Sequence, residues 1–477
     1  MEINVNFKCQ IFTPEKYVEK MLNAIDYDGK RILRKYVLEN SCGEGNILIK
    51  VVNRYINASK NMDYSSESIK EDLEKYILGY EIDNRVRNKC ITNLDNEAKK
   101  HGIYNVNWNI KNEDYLKQPI KETVDFIVGN PPYIMYQNLE LTEREFLKKN
   151  FLSCTKGKFD YCYAFIEKSI KELSNTGRMA YIVPSSIFKN VFGKGLREIL
   201  KSSLEIIYDY KQSVVFDKAL TSPAIICLNK IKSKNHIEYH DIDNQKIFKI
   251  NKDTLEDKWL FSPHEAESPF STNKFGDFFR VSNSVATLLN SAYVINKKDI
   301  LIENEKFIEL KGFRIEKDVI RSAASARSYS INREEYIIFP YKYPDGKLVR
   351  FKEEEFKIKY PGAYEYLLSN SINLKLRKSD KACKWFEYGR SQALLHLNQE
   401  KILLSSVVTN EVNTYRLDKD TIPYSGFFIV PIANKTLDEA EKILKSEQFF
   451  TYLSLRGINA NGKSLRFSVK DILNYSI

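Results

Sequence analysis

The first 230 residues predict an α/β fold, a Rossmann-like, mostly parallel sheet with helices on both faces. Two observations carry this expectation. Short apolar runs alternate with stretches of helical period, and glycines, carboxylates and prolines gather where the runs stop. A third observation, a break in that rhythm near residue 260, sets off a second domain of mixed α+β character. The expected boundaries are 1–262 and 270–477.

Strands are expected at "YVLEN" (36–40), "YILGYEI" (76–82), "VNWNI" (106–110), "VDFIVGN" (124–130), "RMAYIVP" (178–184), "LEIIYDY" (204–210) and "AIICLNK" (224–230). Between them run periodic stretches such as "YCYAFIEKSIKEL" (161–173), with apolar residues at helical spacing. Strand and helix in alternation argue for parallel strands covered on both sides. The polar stretch "NASKNMDYSSES" (57–68) predicts a surface loop between the first two strands. "FSPHEAESPFSTNKFGDFF" (261–279), with two prolines and little periodicity, predicts the interdomain junction.

In open sheets of this kind, ligands bind beyond the C-terminal ends of the strands. Three of those ends carry suggestive residues. After the first strand comes Ser41-Cys42-Gly43-Glu44-Gly45-Asn46, where glycines let the backbone approach a ligand closely. A dinucleotide fingerprint wants a further glycine at position 48, which is Leu48, so NAD is disfavoured. After the second strand come Glu81 and Asp83, able to accept hydrogen bonds from ribose hydroxyls. At the end of "VDFIVG" stand Asn130, Pro131, Pro132 and Tyr133.

Composition narrows the setting. The 477 residues, 43% hydrophobic, suffice to bury cores for two or more domains. Lys and Arg number 74 against 63 acidic residues, a net charge of +11. From Phe270 onward there are 33 basic and 25 acidic residues (+8), and before it 41 and 38 (+3). A basic C-terminal half is the electrostatic footprint of a polyanion partner. Seven scattered cysteines without a C-x-x-C pair point to a reduced cytoplasmic protein. Five dispersed histidines without ligand spacing predict no metal site. "MEINVNFKCQIF" lacks the pattern of a signal peptide. No apolar run approaches the ~20 residues that cross a bilayer, so no membrane partner is expected.

The Asn-Pro-Pro-Tyr stretch suits one chemistry. An exocyclic amine on a nucleobase is a poor nucleophile because its lone pair is delocalised into the ring. Two acceptors that bind its hydrogens out of plane concentrate that lone pair on nitrogen. The Asn130 side-chain oxygen is one acceptor. The Pro131 carbonyl is the other, its direction fixed because both prolines restrict φ. Tyr133 supplies a flat ring to stack on the base. Most of the acceleration then comes from positioning, worth up to ~7–11 kcal/mol.

With these residues in hand, the chain resembles the TaqI-like (gamma-class) adenine-specific DNA methyltransferases. "QIFTPEKYVEKML" (10–22), "VLENSCGEGNIL" (37–48), "GYEID" (79–83), "NEDYL" (112–116) and "NPPY" (130–133) are similar to that class's cofactor and catalytic motifs, in its order. "VVFDKALTSPAII" (214–226) is similar to the segment carrying a second stacking aromatic, which would be Phe216. The resemblance implies a methyltransferase sheet that binds S-adenosylmethionine. Glu39 would hold the methionine ammonium, with Thr13, Ser41, Gly43 and Gly45 along the methionine end. Glu81 and Ile82 would meet the ribose, and Asp114 and Tyr115 the cofactor adenine, with Asn130 between cofactor and target. Glu39-Asn40 departs from the Asp-Pro that many relatives carry.

The target adenine would flip out of duplex DNA, at a cost of a few kcal/mol, and lie between Tyr133 and Phe216. Stacking returns roughly 1–3 kcal/mol per base. "FGDFFRVSNSVATLLNSAYVI" (275–295) and "KWFEYGRSQALL" (384–395) resemble the class's DNA target-recognition domain more loosely. Arg321, Arg327 and Arg390 are candidate DNA contacts, since Arg reads guanine and neutralises phosphate. The resemblance implies a monomeric, nucleoid-associated bacterial or archaeal enzyme. Because the chain opens on the cofactor motif, any cognate restriction endonuclease is expected on a separate chain. Two alternative readings use the same tetrapeptide, methylation of a protein glutamine and of an RNA base. A nucleic-acid-binding protein with a dead active site is a third.

Overall fold

The computed structural model describes residues 13–119, 123–211, 222–231, 234–261, 273–459 and 464–477. It divides into two compact units, Met1–Glu265 and Ala266–Ile477.

In the first unit the helices are α1 (Glu15–Ala24), α2 (Asn46–Lys60), α3 (Ser66–Tyr76), α4 (Asn84–Lys100), α5 (Leu141–Asn150), α6 (Cys162–Glu172) and α7 (Lys194–Lys201). The strands are β1 (Val37–Glu39), β2 (Ile77–Tyr80), β3 (Asn109–Lys111), β4 (Val124–Gly129), β5 (Leu173–Pro184), β6 (Leu204–Asp209), β7 (Pro223–Asn229), β8 (His236–Asp241) and β9 (Lys246–Asn251). They form one sheet in the order β3-β2-β1-β4-β5-β7-β6-β8-β9. The pairs from β3 to β5 are all parallel, whereas β7 runs antiparallel to both β5 and β6.

Alternation along the strands explains the two layers of core. Val37, Phe126 and Val128 pack on the side of α1, α2 and α4, with Val18, Val51 and Leu94. Leu38 and Ile127 point the other way, into a core with Phe165 and Ile166 of α6 and Leu196 of α7. Successive side chains of a strand face opposite sides, so runs apolar at every position are what a doubly covered sheet requires. Along α2, Ile47, Leu48, Val51, Val52, Tyr55 and Ile56 are all buried. Each such side chain contributes about 1.5–3 kcal/mol by leaving water.

All seven expected strands are present in the sheet, with three differences. Residues 57–68 are not one loop: α2 continues to Lys60 and α3 begins at Ser66. The Ser65 hydroxyl accepts the Ser68 N–H as an N-cap, and Ile69 and Leu73 anchor α3, a one-turn signal diluted by the polar residues around it. β5 starts at Leu173 directly from α6, five residues before the expected run. The hairpin β8–β9 was not foreseen; it extends the sheet through β6, and its outer strand is mostly exposed.

The second unit is mixed α+β. One antiparallel sheet is built from Phe279–Asn283, Phe427–Pro431, Lys401–Leu404 and Thr414–Leu417. Another contains Val294–Asn296, Glu335–Ile338, Ile320–Ser325 and Ile422–Ser425. Of the expected junction, residues 262–272 lie outside the described residues, while Phe275–Phe278 is a short helix leading into the first strand. Among the described residues no helix is long and apolar enough to cross a membrane.

Candidate cofactor and substrate cleft

The C-terminal ends of β1, β2 and β4 open on one cavity of about 370 Å³. It is lined by Thr13, Glu39, Ser41, Gly43, Glu81, Ile82, Asp114, Tyr115 and the whole Asn130–Tyr133 stretch. Residues spread over 120 positions of sequence therefore share one wall. One expected member is not among the lining residues, and another is not among the described residues. Gly45 stands behind the lining; its φ is +87°, and a Cβ there would come 2.7 Å from the Cys90 sulfur. Its role is to cap α2 and let α4 pack close. Phe216 lies outside the described residues.

Glu39 ends β1 and is 3% exposed. Its Oε2 has no hydrogen-bond partner, and burial, followed by Cys90 nearby, pushes its carboxyl well above the usual range. A buried polar oxygen without a partner carries an unrecovered desolvation cost. Beside it, Asn40 replaces rigidity with side-chain bonds. Its amide donates to the Ser169 hydroxyl at 2.8 Å and to the Tyr181 hydroxyl, tying the end of β1 to α6 and β5.

Glu81 bridges two strand ends. Its Oε2 accepts the Gly43 N–H at 3.0 Å and its Oε1 accepts the Asp83 N–H at 2.9 Å. Burial pushes its carboxyl up, and these two N–H groups oppose the shift. Gly43 takes a left-handed φ of +51°, which turns its N–H toward the carboxylate. Asp114 caps the turn after β3 by accepting the Leu116 N–H at 3.0 Å, and pairs with Lys117 at 2.9 Å.

At the other end, the Asn130 amide donates to the Thr13 hydroxyl at 3.3 Å, and the Ser41 hydroxyl donates to the Asn130 carbonyl at 3.3 Å. The Tyr133 hydroxyl shares its single proton between Asn130 Oδ1 at 2.6 Å and the Ile182 carbonyl at 2.8 Å. The oxygen expected to receive a substrate amine is thus already occupied. Burial pushes the Tyr133 phenol well up, so it stays protonated and able to donate.

Sequence reasoning missed an aromatic wall. Tyr80, Tyr161 and Phe165 line the cavity with Tyr115. Tyr115 lies 5.5 Å from both Tyr80 and Phe165, and Tyr161 lies 5.5 Å from Phe165. Tyr161 and Phe165 are four apart at the start of α6, hence on one face, a signal the sequence did contain. Of the arginines in the second unit, Arg321 donates to the carbonyls of Asp318 and Ile320. Arg327 is exposed, and Arg390 pairs with Asp380 at 2.9 Å.

Comparison with known proteins bears on this arrangement. Residues 33–216 match the family model of the Eco57I restriction-modification methylase. That segment is similar to the Eco57I-type methylases. The resemblance read from the motifs is borne out at that level. The chain is 26% identical to the type II restriction enzyme and methyltransferase RM.Eco57I of Escherichia coli, over 70% of this chain and 38% of that protein. It is 22% identical to the type II methyltransferase M.BstVI of Geobacillus stearothermophilus, over 96% of this chain and 88% of that one. Among solved structures, the type IIL restriction-modification enzyme MmeI in complex with DNA superposes with a TM-score of 0.62 at 13% identity, covering 96% of this chain and 65% of that one. The chain thus spans well under half of RM.Eco57I, and the likeness to MmeI is one of fold.

Proposed function

We propose that this protein is a site-specific DNA methyltransferase that moves a methyl group from S-adenosylmethionine to the N6 amino group of a flipped-out adenine. One observation carries the reading: a single cavity joins three strand-end carboxylates to the Asn130–Tyr133 loop. The family match and the DNA-bound fold relative support it.

The residues present fit the cofactor. Glu39, with an unsatisfied buried oxygen, would receive the methionine ammonium. Glu81 would take the ribose hydroxyls with its remaining lone pairs, and Asp114 the adenine amino group, inside the Tyr80–Tyr115–Phe165 wall. The cofactor supplies an electrophilic methyl on sulfonium sulfur. Tyr133 stacks on the target base, while Asn130 Oδ1 and the Pro131 carbonyl accept the two amino hydrogens. The target amino nitrogen, cationic once methylated, would lose its proton past the Asn130 carboxamide to water. Before that, the Tyr133 hydroxyl must leave Asn130 Oδ1. Its second acceptor, the Ile182 carbonyl, gives it a place to remain bonded.

The second unit, with its basic excess, would serve as the target-recognition domain, Arg321, Arg327 and Arg390 being candidate contacts. The test is to express the chain in a host lacking adenine methylation and map modified bases by long-read sequencing. One methylated motif, lost in Asn130→Ala, is the expected result. An unmodified genome from soluble, cofactor-binding protein would overturn the reading.

A further inference from the structure

We propose that Asp160 is a positioning residue that clips the Asn130–Tyr133 loop to the start of α6, which deepens the methyltransferase reading and rests on it. Between Gly129 and Tyr136 the chain has neither helix nor paired strand, apart from one isolated antiparallel bridge, Met135 to Asp160. Around that bridge the contacts concentrate on Ile134, the residue directly after Tyr133. The Asp160 carboxylate accepts the Cys162 N–H at 3.1 Å, and the Ile134 N–H lies close enough to it to favour its ionised form. The Ile134 carbonyl in turn accepts the Tyr161 N–H at 3.0 Å. The turn that opens α6 therefore holds the Ile134 carbonyl and faces its N–H. The other end of Tyr133 is held by the Ile182 carbonyl of β5. The ring is suspended between these two attachments, and Asp160 supplies a side chain at the first one.

The carboxylate is expensive where it stands. Burial pushes it up to about 6, against the two N–H bonds. Tyr133 on the loop, Cys162 and Tyr163 on α6 and Cys154 on the preceding turn all face it. For an acid raised in the folded state, the associated stability is present below the ordinary Asp range and lost as pH rises through about 6. At neutral pH the ionised group therefore costs stability, and a purely structural site would be served better by a neutral residue. A carboxylate kept at such a cost beside the reacting groups is characteristic of a functional site. Ionised, it attracts both nearby N–H groups; as Asn it has one oxygen to offer them.

The experiment compares full-length wild type, Asp160→Asn and Asp160→Ala. Three measurements are made: amide hydrogen exchange, S-adenosylmethionine affinity by calorimetry, and single-turnover methyl transfer to unmethylated genomic DNA. In Asp160→Ala, exchange should quicken in peptides covering 131–136 while α2 and α4 keep their protection. Cofactor affinity should stay within about threefold while transfer slows about 10²-fold, the scale of a small misplacement of a reacting group. Asp160→Asn should keep its Tm within about 4 °C of wild type and fall between the two in rate. The wild-type rate should drop as pH falls through about 6, with a flatter profile in Asp160→Asn. Unchanged loop exchange with a wild-type rate would overturn the proposal, as would a uniform loss of protection in which affinity and rate fall together. If the wild type methylates no DNA yet Asp160→Ala loosens 131–136 selectively, the clip stands and the DNA reading falls.

Discussion

The two ends of the cleft are built differently. At the cofactor end, Glu39, Glu81 and Asp114 each follow directly on a strand or its turn, and their partners are mostly backbone N–H groups within a few residues or one strand away. At the acceptor end, Asn130 and Tyr133 are held by Thr13, Ile182 and, through Ile134, by α6. The first end is rigid because a parallel sheet fixes it, and it is incomplete, with one carboxylate oxygen lacking a partner. The second is complete as it stands, its principal acceptor taken by Tyr133. On the proposed reading, a cleft so arranged would take a cation as it stands and would have to rearrange to take an amine. Cofactor affinity and methyl transfer should therefore respond to different substitutions.

The widest separation should come from Asn130→Ala, which removes the oxygen proposed to accept the target amine. Single-turnover transfer should fall by about 10²–10³-fold, while S-adenosylmethionine affinity in a calorimeter changes little. An equal loss of both would erase the distinction between the two ends. Tyr133→Ala should follow, losing about 1–3 kcal/mol of stacking, or roughly 10- to 100-fold in transfer. Tyr133→Phe keeps the ring and releases Asn130 Oδ1, so its single-turnover rate should stay close to wild type. Comparable losses in the two Tyr133 variants would remove the stacking role.

On the cofactor side, Glu39→Gln should weaken S-adenosylmethionine binding about 10- to 100-fold, the worth of a hydrogen bond to a charged group, with transfer at saturating cofactor nearly intact. The same residue predicts a pH dependence. Its carboxyl is raised in the unliganded protein, so an ammonium must wait for its proton to leave. Affinity should rise with pH above the usual carboxylate range and level off once Glu39 is ionised; Glu39→Gln should be flat. In stability the sign is opposite: the contribution of Glu39 to the cofactor-free fold is present at low pH and lost as pH rises through its elevated value. The smallest effect belongs to Gly45→Ala, which meets Cys90 and a left-handed φ. It should cost about 1–2 kcal/mol in thermal unfolding and leave both ends of the cleft working.

What the sequence by itself determined is whatever depends on neighbours along the chain. Apolar runs marked the strands, and the residues just past them put Glu81 and Asn130 on the ligand side of the sheet, while the resemblance to the methyltransferase class added Glu39 and Asp114 to the same wall. Local pattern had less to say about 57–68, where a single capping serine restarts a helix, or about the β8–β9 hairpin, whose outer strand buries too little to leave a clear alternation. Tertiary structure alone decided where side chains point and what they meet. Thr13 and Asn130 touch across 117 positions, and Asn40 reaches Ser169 across 129. The Tyr133 hydroxyl reaches the Ile182 carbonyl across 49, and Asp160 finds Ile134 only because a loop returns to the start of α6. Periodicity reports which face of an element is buried; which distant atom satisfies a polar group on that face is settled by how the elements pack.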